Sequence, residues 1–544
     1  LVSVGSPPSP FAQNKQNEPT VAIDAHTRSV VVAGSNDEID LEACNAGNPT
    51  TCLFTQGVGT TGVYFSFDGG QTWTQPTYTG WTARDCLGPA PCTPHVGPIG
   101  TLPKYFENGL VSDGDPSAAF GPRRGQNGKF SWSNGSRLYF ANLTSNFSSQ
   151  RSEFGFKGFE AIAVSRTDDP QAAAAGDASA WMKPVIASKQ NSALFSDHEQ
   201  IWADNAQSSP AFGNVYVCYA AFRSQEKHGL PEPIILARST DGGTTWTQRQ
   251  LSAATNNNQT GGRQDCWIRT NSKGVVYVFW DGNVNKQPAV LQARSFDGGQ
   301  TFTRPELISL FTPAGLTDPV TGDTVFDGVA GNRDGTFPTA DIANGAPTGA
   351  GATDEVAVTW TEGPTPTDQN PGPNEKLRIA FSTTGGSSYQ FVDNSAESTD
   401  RPDYGAIAIS PNGSTLYQSY LAFDQPWQTS TANPRAMEGV IRSAAVGGDG
   451  TPGAFVTVHR GASGDARASS ANALTGEFLG DYDYAAATNS HLVAVWIDVR
   501  NAADCPAIDA YRQSLVEGNP IPKPAPNTDC PATFGNSDIF GGQF

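Results

Sequence analysis

Acidic, histidine and tyrosine side chains recur directly before apolar stretches of this chain. The clearest examples are Asp113-Gly-Asp115, Asp197-His198-Glu199 and Asp481-Tyr482-Asp483. Carboxylates, imidazoles and phenols that meet in one place can transfer protons, and carboxylates can also bind a hard cation. We therefore treat residues at and near these positions as candidates for a catalytic site.

The candidates divide by the chemistry that each side chain offers. The predicted proton-transfer residues are His198, Tyr482, Tyr105 and His95. The predicted substrate-binding residues are Arg263, Arg401, Arg84, Arg333, Asp265 and Asp483. The predicted ligands of a cation, for which Ca²⁺ is the expectation, are Asp113, Asp115 and Asp197.

Two reactions suit these side chains. In β-elimination at a uronate, Arg or Ca²⁺ would neutralise the carboxylate, and His198 with Tyr482 or Tyr105 would move the protons. In hydrolysis, two carboxyl groups would flank the glycosidic bond, and the excess of acidic residues allows this as well.

A third possibility is glycan or protein binding without chemistry. Trp81, Trp132 and Trp427 stand in loop-like segments and would stack on sugar rings. Packing within the fold explains these tryptophans equally, and we expect packing to be their role.

The segments that must position the candidates form a repeated strand–turn–strand unit. One copy spans residues 17–24 and 29–33, another spans 197–204 and 214–219, and the last spans 481–487 and 491–496. Seven such copies predict an all-β fold, a seven-bladed β-propeller of four-stranded antiparallel blades in a single domain over residues 1–544. Six blades, or an array of β-sandwiches, are the alternatives.

A second repeat, Ser66-Phe-Asp68-Gly-Gly-Gln-Thr-Trp73, marks a turn in several of these units. It returns at 239–246 and 295–302, and a worn copy without the acid stands at 382–389. Asp-Gly-Gly tolerates positive φ, and the Asp and Ser side chains can bond to nearby backbone groups. We expect Asp68, Asp241 and Asp297 to stabilise turns between the third and fourth strands, not to act in chemistry.

Loop lengths indicate which face of the propeller carries the site. Turns between first and second strands are short, whereas long insertions fall on the opposite face, at residues 35–62, 75–112, 303–336, 361–376, 424–438 and 447–480. Functional residues concentrate on elaborated loops that a rigid scaffold carries. We therefore expect the site at the end of the central channel that lies on the face with the insertions.

The cysteines and the charge indicate where the protein works. Of eight cysteines, Cys44 with Cys52, Cys86 with Cys92, and Cys505 with Cys530 are close in sequence and suggest loop-stapling disulfides. The first residues lack the charged and then apolar pattern of a signal peptide, as in a processed N-terminus, so we expect a secreted protein. The net charge of −19 disfavours nucleic acid, and no stretch is apolar enough to cross a membrane. We expect a monomer that acts on an anionic carbohydrate.

The Ser-x-Asp-x-Gly-x-Thr-Trp box resembles that of sialidases and other Asp-box propellers, and the repeat covers nearly the whole chain. The resemblance implies the propeller fold, although non-catalytic propellers share the box. Sialidases carry an Arg-Ile-Pro signature near the first blade, where this chain has Asn17-Glu18-Pro19, and they are typically six-bladed. The chain also resembles seven-bladed polysaccharide lyases with His, Tyr and Arg at the centre. We therefore expect β-elimination of a uronate-containing glycan, with sialidase-like hydrolysis as the alternative and simple binding as the third.

Overall fold

The protein is a seven-bladed β-propeller, as the sequence predicts. The structure is a computed structural model that describes residues 1–4, 15–147, 156, 158–188, 191, 193–223, 231–255, 264–326, 329–333, 337–364, 375–426 and 430–544. Most blades are antiparallel sheets in which strands that follow each other in the chain lie side by side. The six-bladed and sandwich alternatives are excluded by this topology.

The strands of blades 1 to 3 and of the insertion between the first two blades come first in the chain. They are β1 (Gln16–Ile23), β2 (Val31–Asp37) and β3 (Thr61–Ser66) in blade 1, the hairpin β4 (Tyr78–Thr82) and β5 (His95–Ile99), β6 (Leu110–Arg124), β7 (Phe130–Asn146), β8 (Ala161–Thr167) and β9 (Val185–Ile186) in blade 2, and β10 (Phe195–Ala203), β11 (Val215–Phe222), β12 (Ile234–Ser239) and β13 (Thr247–Gln250) in blade 3.

The remaining blades follow in the same order. They contain β14 (Gln264–Thr270), β15 (Val276–Val284), β16 (Gln287–Ser295) and β17 (Glu306–Leu310) in blade 4, the small hairpin β18 (Leu316–Thr317) and β19 (Thr324–Val325), β20 (Thr339–Ile342), β21 (Val356–Glu362), β22 (Lys376–Ser382) and β23 (Gln390–Val392) in blade 5, β24 (Arg401–Ile409), β25 (Thr415–Phe423), β26 (Ala436–Ala445), β27 (Val456–Arg460) and β28 (Gly464–Asp465) in blade 6, and β29 (Tyr484–Ala487), β30 (Leu492–Asp498) and β31 (Asp538–Gln543) in blade 7.

The first strands of the blades surround the central channel, and each contacts the first strand of the next blade around a closed ring. The ring closes at blade 7, where the backbone N–H of Val2 donates to the carbonyl of Ile539 at 2.8 Å. The second strands are packed between neighbouring blades, which explains why β11 is buried over its whole length. The outer strand β13 is mostly exposed. The inner strands are therefore the rigid part of the scaffold.

Blade 7 departs from the prediction in one element. In sequence, Tyr511–Ser514 resembles the third-strand segments of other blades and predicts a strand, but these residues lie in the helix α2 (Pro506–Val516), and β31 takes the place in the sheet. Pro506 at the first helical position favours a helix start, because its missing N–H costs nothing there. Two shorter helices are α1 (Pro170–Ala174), which overlaps the start of the Ala-rich run 172–180, and α3 (Pro526–Asp529).

All eight cysteines form disulfides. The three predicted local pairs are confirmed, and each closes part of an insertion. The remaining pair, Cys218–Cys266, joins β11 of blade 3 to β14 of blade 4. Disulfides of this number indicate a protein that folds in an oxidising compartment.

Within the described ranges, none of the helices has the length and apolar character needed to cross a membrane.

Candidate functional site

A cavity of about 890 Å³ lies where the first strands of the blades begin. Its walls include residues of the long insertions, among them Phe54, Thr321 and Phe478. At the opposite end of the channel a cavity of only about 80 Å³ is lined by the short turns around Ala25, Asn344 and Pro411. The face with the insertions is therefore the one with room for a ligand.

A repeated backbone feature brings polar side chains to this cavity. Five inner strands carry a β-bulge near their start, and at each bulge one residue other than glycine adopts positive φ: Glu18 (52°), Asp115 (50°), His198 (54°), Asp265 (51°) and Tyr404 (52°). Bulges re-aim side chains and are common next to active sites. A left-handed conformation at these residues costs energy, on the order of 1–3 kcal/mol each, which the surrounding blades must offset.

His198 is held between two carboxylates. Its Nδ1 lies 2.6 Å from Asp265 and its Nε2 lies 3.6 Å from Asp197, and the ring is almost buried. Burial alone would lower the pKa of His198, but Asp197 and Asp265 outweigh it and hold the pKa well above the usual value. The ring is therefore an imidazolium at neutral pH, which disfavours the predicted role of His198 as a proton acceptor.

A second group of polar residues lies on the blade 1 side of the cavity. The amide of Asn36 connects the first two bulges, since Nδ2 donates to Glu18 Oε2 at 2.5 Å and Oδ1 accepts from the backbone N–H of Asp115 at 2.5 Å. Arg333 lies 2.9 Å from Asp481 and 3.6 Å from Glu18. These contacts fix Glu18 between an amide, a guanidinium and the neighbouring carboxyl.

Glu18 and Asp115 form a hydrogen-bonded pair of carboxyl groups. Burial, the charges of Asp115 and Asp481, and a hydrogen bond to the Asp115 side chain raise the pKa of Glu18 well above its usual value, although Arg333 opposes the shift. Glu18 thus holds a proton at neutral pH while a second carboxyl touches it. In sequence, the segment Asn17-Glu18-Pro19 before the first strand draws attention only by the arginine that it lacks. Glu18 was therefore not among the predicted site residues.

Part of the predicted cation site comes together. Oxygen or nitrogen atoms of Asp115, Asp197 and His198 all lie within 4.8 Å of one another. Asp113 also lines the cavity, but its carboxyl is hydrogen-bonded to Ser145 and Glu160, and the three predicted aspartates do not form one group. Ca²⁺ takes six to eight oxygen ligands, and a ring nitrogen held by two carboxylates does not suit it. These residues therefore fit Ca²⁺ poorly, and no step below depends on it.

Tyr482 and Glu199 lie buried beneath the cavity. The Tyr482 hydroxyl and both Glu199 carboxylate oxygens have no hydrogen bond to another of the described residues. Burial and the nearby carboxylates Asp115 and Glu18 raise the pKa of Tyr482 well above its usual value, so the phenol keeps its proton. Asp483, also buried, accepts from the backbone N–H of Ile497 at 3.1 Å and serves the blade.

Several predicted site residues lie away from the cavity. Tyr105 is buried in blade 2, where its hydroxyl contacts Asn142 at 2.5 Å and Ser165 at 3.0 Å. His95 and Arg84 lie on the blade 1–2 insertion, paired with Asp85 and Asp40, and Arg401 is buried against Glu375 at 2.9 Å. These side chains are positioned by insertion and blade packing, which spacing in the sequence could not reveal. Arg263 lies outside the described residues.

Aromatic side chains form part of the cavity wall and were not predicted. Phe54, Phe195, Phe222, Phe337 and Phe478 line it, and Phe54 is 58% exposed. The tryptophans behave as packing residues, as expected: Trp81 stacks on Phe106 at 4.4 Å and Trp132 on His26 at 5.6 Å. Trp427 lies outside the described residues. The phenylalanines carry no sequence signal that separates them from core residues.

Comparisons with known proteins were made for the sequence and for the fold. No protein-family model matches the sequence, and no curated protein matches it either. The fold is similar to the Trypanosoma rangeli sialidase in complex with the inhibitor DANA, at 11% identity and a TM-score of 0.38 over 76% of this chain and 54% of that chain. This chain thus spans about half the length of that sialidase.

Two further solved structures are similar at the same level. One is the Penicillium chrysogenum alpha-L-arabinanase complexed with arabinobiose, with 11% identity and a TM-score of 0.39 over 70% of this chain and 88% of that chain. The other is the Fusarium graminearum alpha-L-arabinofuranosidase, with 11% identity and a TM-score of 0.39 over 78% of this chain and 92% of that chain. Independently of these likenesses, this chain is a seven-bladed propeller whose turns carry the boxes of Asp68, Asp241 and Asp297.

Proposed function

We propose that this protein is a glycoside hydrolase that cleaves a glycan in the central cavity with paired carboxyl groups. The observation that carries the proposal is the group of carboxyls Glu18, Asp115 and Asp197 at one cavity. Burial and neighbouring acids raise the pKa of Glu18, whereas Asp197 lies 3.6 Å from the ring of His198. Acid–base cleavage of a glycosidic bond requires two nearby carboxyl groups, one of which has a raised pKa and can donate a proton.

The geometry suggests a role for each acid. The Glu18–Asp115 pair would donate its proton to the glycosidic oxygen, and an oxygen of Asp197 would bond to the anomeric carbon as the leaving sugar departs. Water would then attack that carbon, break its bond to Asp197 and return a proton to the pair. A carboxyl oxygen of Asp115 and one of Asp197 lie within 4.8 Å of each other, which is closer than the spacing of about 6.5–9.5 Å that inverting enzymes need to hold a water between their acids. We therefore expect retention of the anomeric configuration.

Hydrolysis fits this cavity better than the β-elimination that the sequence favoured. A lyase base must accept a proton, and His198 is already protonated. A lyase must also neutralise a uronate carboxylate, but Arg333, the arginine among the described lining residues, is paired with Asp481 and Glu18. Tyr105, one of the two tyrosines expected to move a proton, lies in blade 2 away from the cavity.

The experiment is incubation of the full chain with neutral, amino and uronate polysaccharides. New reducing ends are measured together with the ultraviolet absorbance of unsaturated uronides. We expect reducing ends without absorbance. Absorbance that rises with each new end would contradict hydrolysis in favour of elimination, and binding without any new end would favour a non-catalytic propeller.

Ca²⁺ in this cavity remains a prediction from the sequence, and so does the monomeric state. Because His198 already offsets the charge of Asp197 and Asp265, we expect hydrolysis to need no added cation. Activity that survives exhaustive chelation agrees with this expectation. Loss of activity on chelation that Ca²⁺ restores would instead support the predicted site.

A further inference from the structure

We propose that the glycan bound in this cavity carries positively charged amino groups, as an oligosaccharide of N-unsubstituted hexosamine does. The inference deepens the proposed function, on which it rests, by naming the substrate class. It differs from the anionic substrate that the sequence suggested.

The charged side chains that line the cavity are mostly acidic. The acids are Glu18, Glu38, Asp113, Asp115, Asp197, Asp281, Asp323 and Asp481. The basic residues among the described lining are Lys15, Arg333 and His198. Arg333 and His198 are each within 4.0 Å of two carboxylates, and Lys15 lies near Glu38. Among the described residues, no unpaired arginine or histidine lines the cavity to receive an anionic group.

Carboxyls of the cavity contact each other where cations would be expected. Glu18 is hydrogen-bonded to Asp115, and Asp113 is hydrogen-bonded to Glu160. Like charges at this distance cannot both ionise, so such pairs retain a proton until a positive charge arrives. An ammonium group on a sugar would supply that charge and offers three hydrogen-bond donors to the carboxylates.

One buried acid points to where the ammonium group binds. Asp481 is only 4% exposed and lines the cavity, and its Oδ1 has no hydrogen-bond partner among the described residues while Oδ2 is occupied by Arg333. A buried carboxylate oxygen without a donor is costly. A donor carried by the ligand would remove that cost, and a neutral hydroxyl would do so less strongly than an ammonium group.

The walls suit the sugar itself. Phe54 at the mouth and Phe337, whose ring centre lies 5.9 Å from that of His198, present apolar faces beside the acids. Aromatic faces pack against the C–H faces of sugar rings and attract cations. A ligand that is apolar on its ring faces and cationic at one substituent matches both parts of the cavity.

The test is binding of glucosamine oligomers and of the same oligomers after N-acetylation, measured by calorimetry with the full chain in mildly acidic buffer. The two ligands share the same sugar chain, and N-acetylation replaces the charged amine with a neutral amide that carries a methyl group. We expect the amino oligomer to bind at least tenfold more tightly, and the difference to shrink with added salt. Equal or tighter binding of the N-acetylated oligomer, or tighter binding of polygalacturonate, would overturn the inference.

Cleavage is measured in parallel, so that this inference and the proposed hydrolase can fail separately. Cleavage of N-acetylated or other neutral oligomers without a preference for the amino form overturns the inference and leaves the hydrolase standing. Tight binding of the amino oligomer without cleavage of any glycan supports the inference and contradicts the hydrolase.

Two variants locate the ammonium group. Asp481→Asn is expected to reduce the preference for the amino oligomer at least fivefold. Because Asp481 also holds Arg333, Asp113→Asn is a second variant that leaves this ion pair in place. Asp85→Asn is the matched control, because the Asp85 side chain lies on the insertion and is 76% exposed. This variant should keep the full preference for the amino oligomer. An unchanged preference in both cavity variants would contradict the inference.

Discussion

Aspartates at the two ends of the propeller carry opposite kinds of environment. In the box of blade 1, Asp68 Oδ1 accepts from Ser66 Oγ at 2.8 Å and from the backbone N–H groups of Gln71 and Thr72 at 3.0 and 2.9 Å, and Oδ2 accepts from Thr72 Oγ1 at 2.6 Å. At the cavity, Asp115 meets the carboxyl of Glu18, and Asp481 keeps one oxygen without a donor among the described residues.

The pKa values follow these environments. Hydrogen bonds from Thr72 and its neighbours lower the pKa of Asp68, which is only partly buried, to about 2. Burial and neighbouring acids raise the pKa of Glu18 at the cavity. The aspartates of the boxes and the acids at the cavity both stand in turns or bulges that repeat around the ring. The difference shows that satisfied acceptors make an acid structural, whereas crowded and unsatisfied acceptors leave it available for chemistry.

The largest expected effect comes from neutralising Asp197. Asp197→Asn removes the proposed nucleophile, so kcat should fall by about 10³-fold or more while the fold remains. Asp68→Asn is the matched change at the other end of the propeller and should keep wild-type kcat. The measurement is release of reducing ends by each variant. Equal losses in both variants would remove the functional distinction between the two sets of aspartates.

Glu18→Gln should give the next largest effect, because it removes the proton that the Glu18–Asp115 pair donates. We expect kcat to fall by about 10²- to 10⁴-fold. In wild-type protein, activity should decline with rising pH as the pair loses its proton. The variant should lose that decline, which a pH profile of kcat/KM measures. An unchanged alkaline decline in Glu18→Gln would assign the proton to another group.

Asp297→Ala tests the other side of the comparison through stability. The carboxylate accepts hydrogen bonds from Ser295, Gln300 and Thr301 in its box, and its loss should lower the free energy of unfolding by about 1 kcal/mol. Denaturant titration measures this change. Activity under native conditions should be unaffected, and a loss of activity without a loss of stability would give the box a role in chemistry.

The acids of the insertion face and the aspartates of the boxes should change the stability of the protein with pH in opposite directions. Burial raises the pKa of Glu38 and of Asp40, both in the insertion face, to about 7. The folded protein therefore binds these two protons more tightly than the unfolded chain does. Their contribution to the free energy of unfolding is fully present below the unfolded pKa values, and it declines by on the order of a few kcal/mol as pH rises towards 7.

The boxes should show the reverse dependence at low pH. Because the pKa of Asp68 is lowered to about 2, its contribution is present above the unfolded value and is lost as pH falls towards 2. Thermal melts across the acid range should give a maximum between these limits. A stability that rises steadily from pH 4 to pH 8 would contradict the raised pKa values of the insertion face.

The sequence could reveal the fold because the propeller repeats local rules. Apolar strand pairs recur in each blade, and the box uses residues that bond within the same turn, such as Asp241 with Ser239 and Thr245. Such interactions are visible in a short window of sequence. Tyr511–Ser514 was misassigned because a four-residue window resembles a strand, while the helix depends on Pro506 and the longer segment.

The site was less visible, because its contacts join residues that are far apart in the chain. Arg333 meets Glu18 and Asp481 across the ring, and Asn36 connects Glu18 to Asp115. The segments before the first strands did point to acids and a histidine that line the cavity, such as Asp115 and His198, since every blade begins at the same end of the channel. The protonation of His198 and the positions of Tyr105 and Arg401 depend on burial and packing that no spacing encodes.

The anomeric configuration of the first product tests the central claim most directly. The full chain is incubated with the glycan that it cleaves, and proton NMR follows the new reducing end before mutarotation. The proximity of Asp115 and Asp197 predicts the same configuration as in the substrate, and Asp197→Asn should give no product. An inverted product, an unsaturated sugar, or the same product from Asp197→Asn would contradict cleavage by this pair of carboxyl groups.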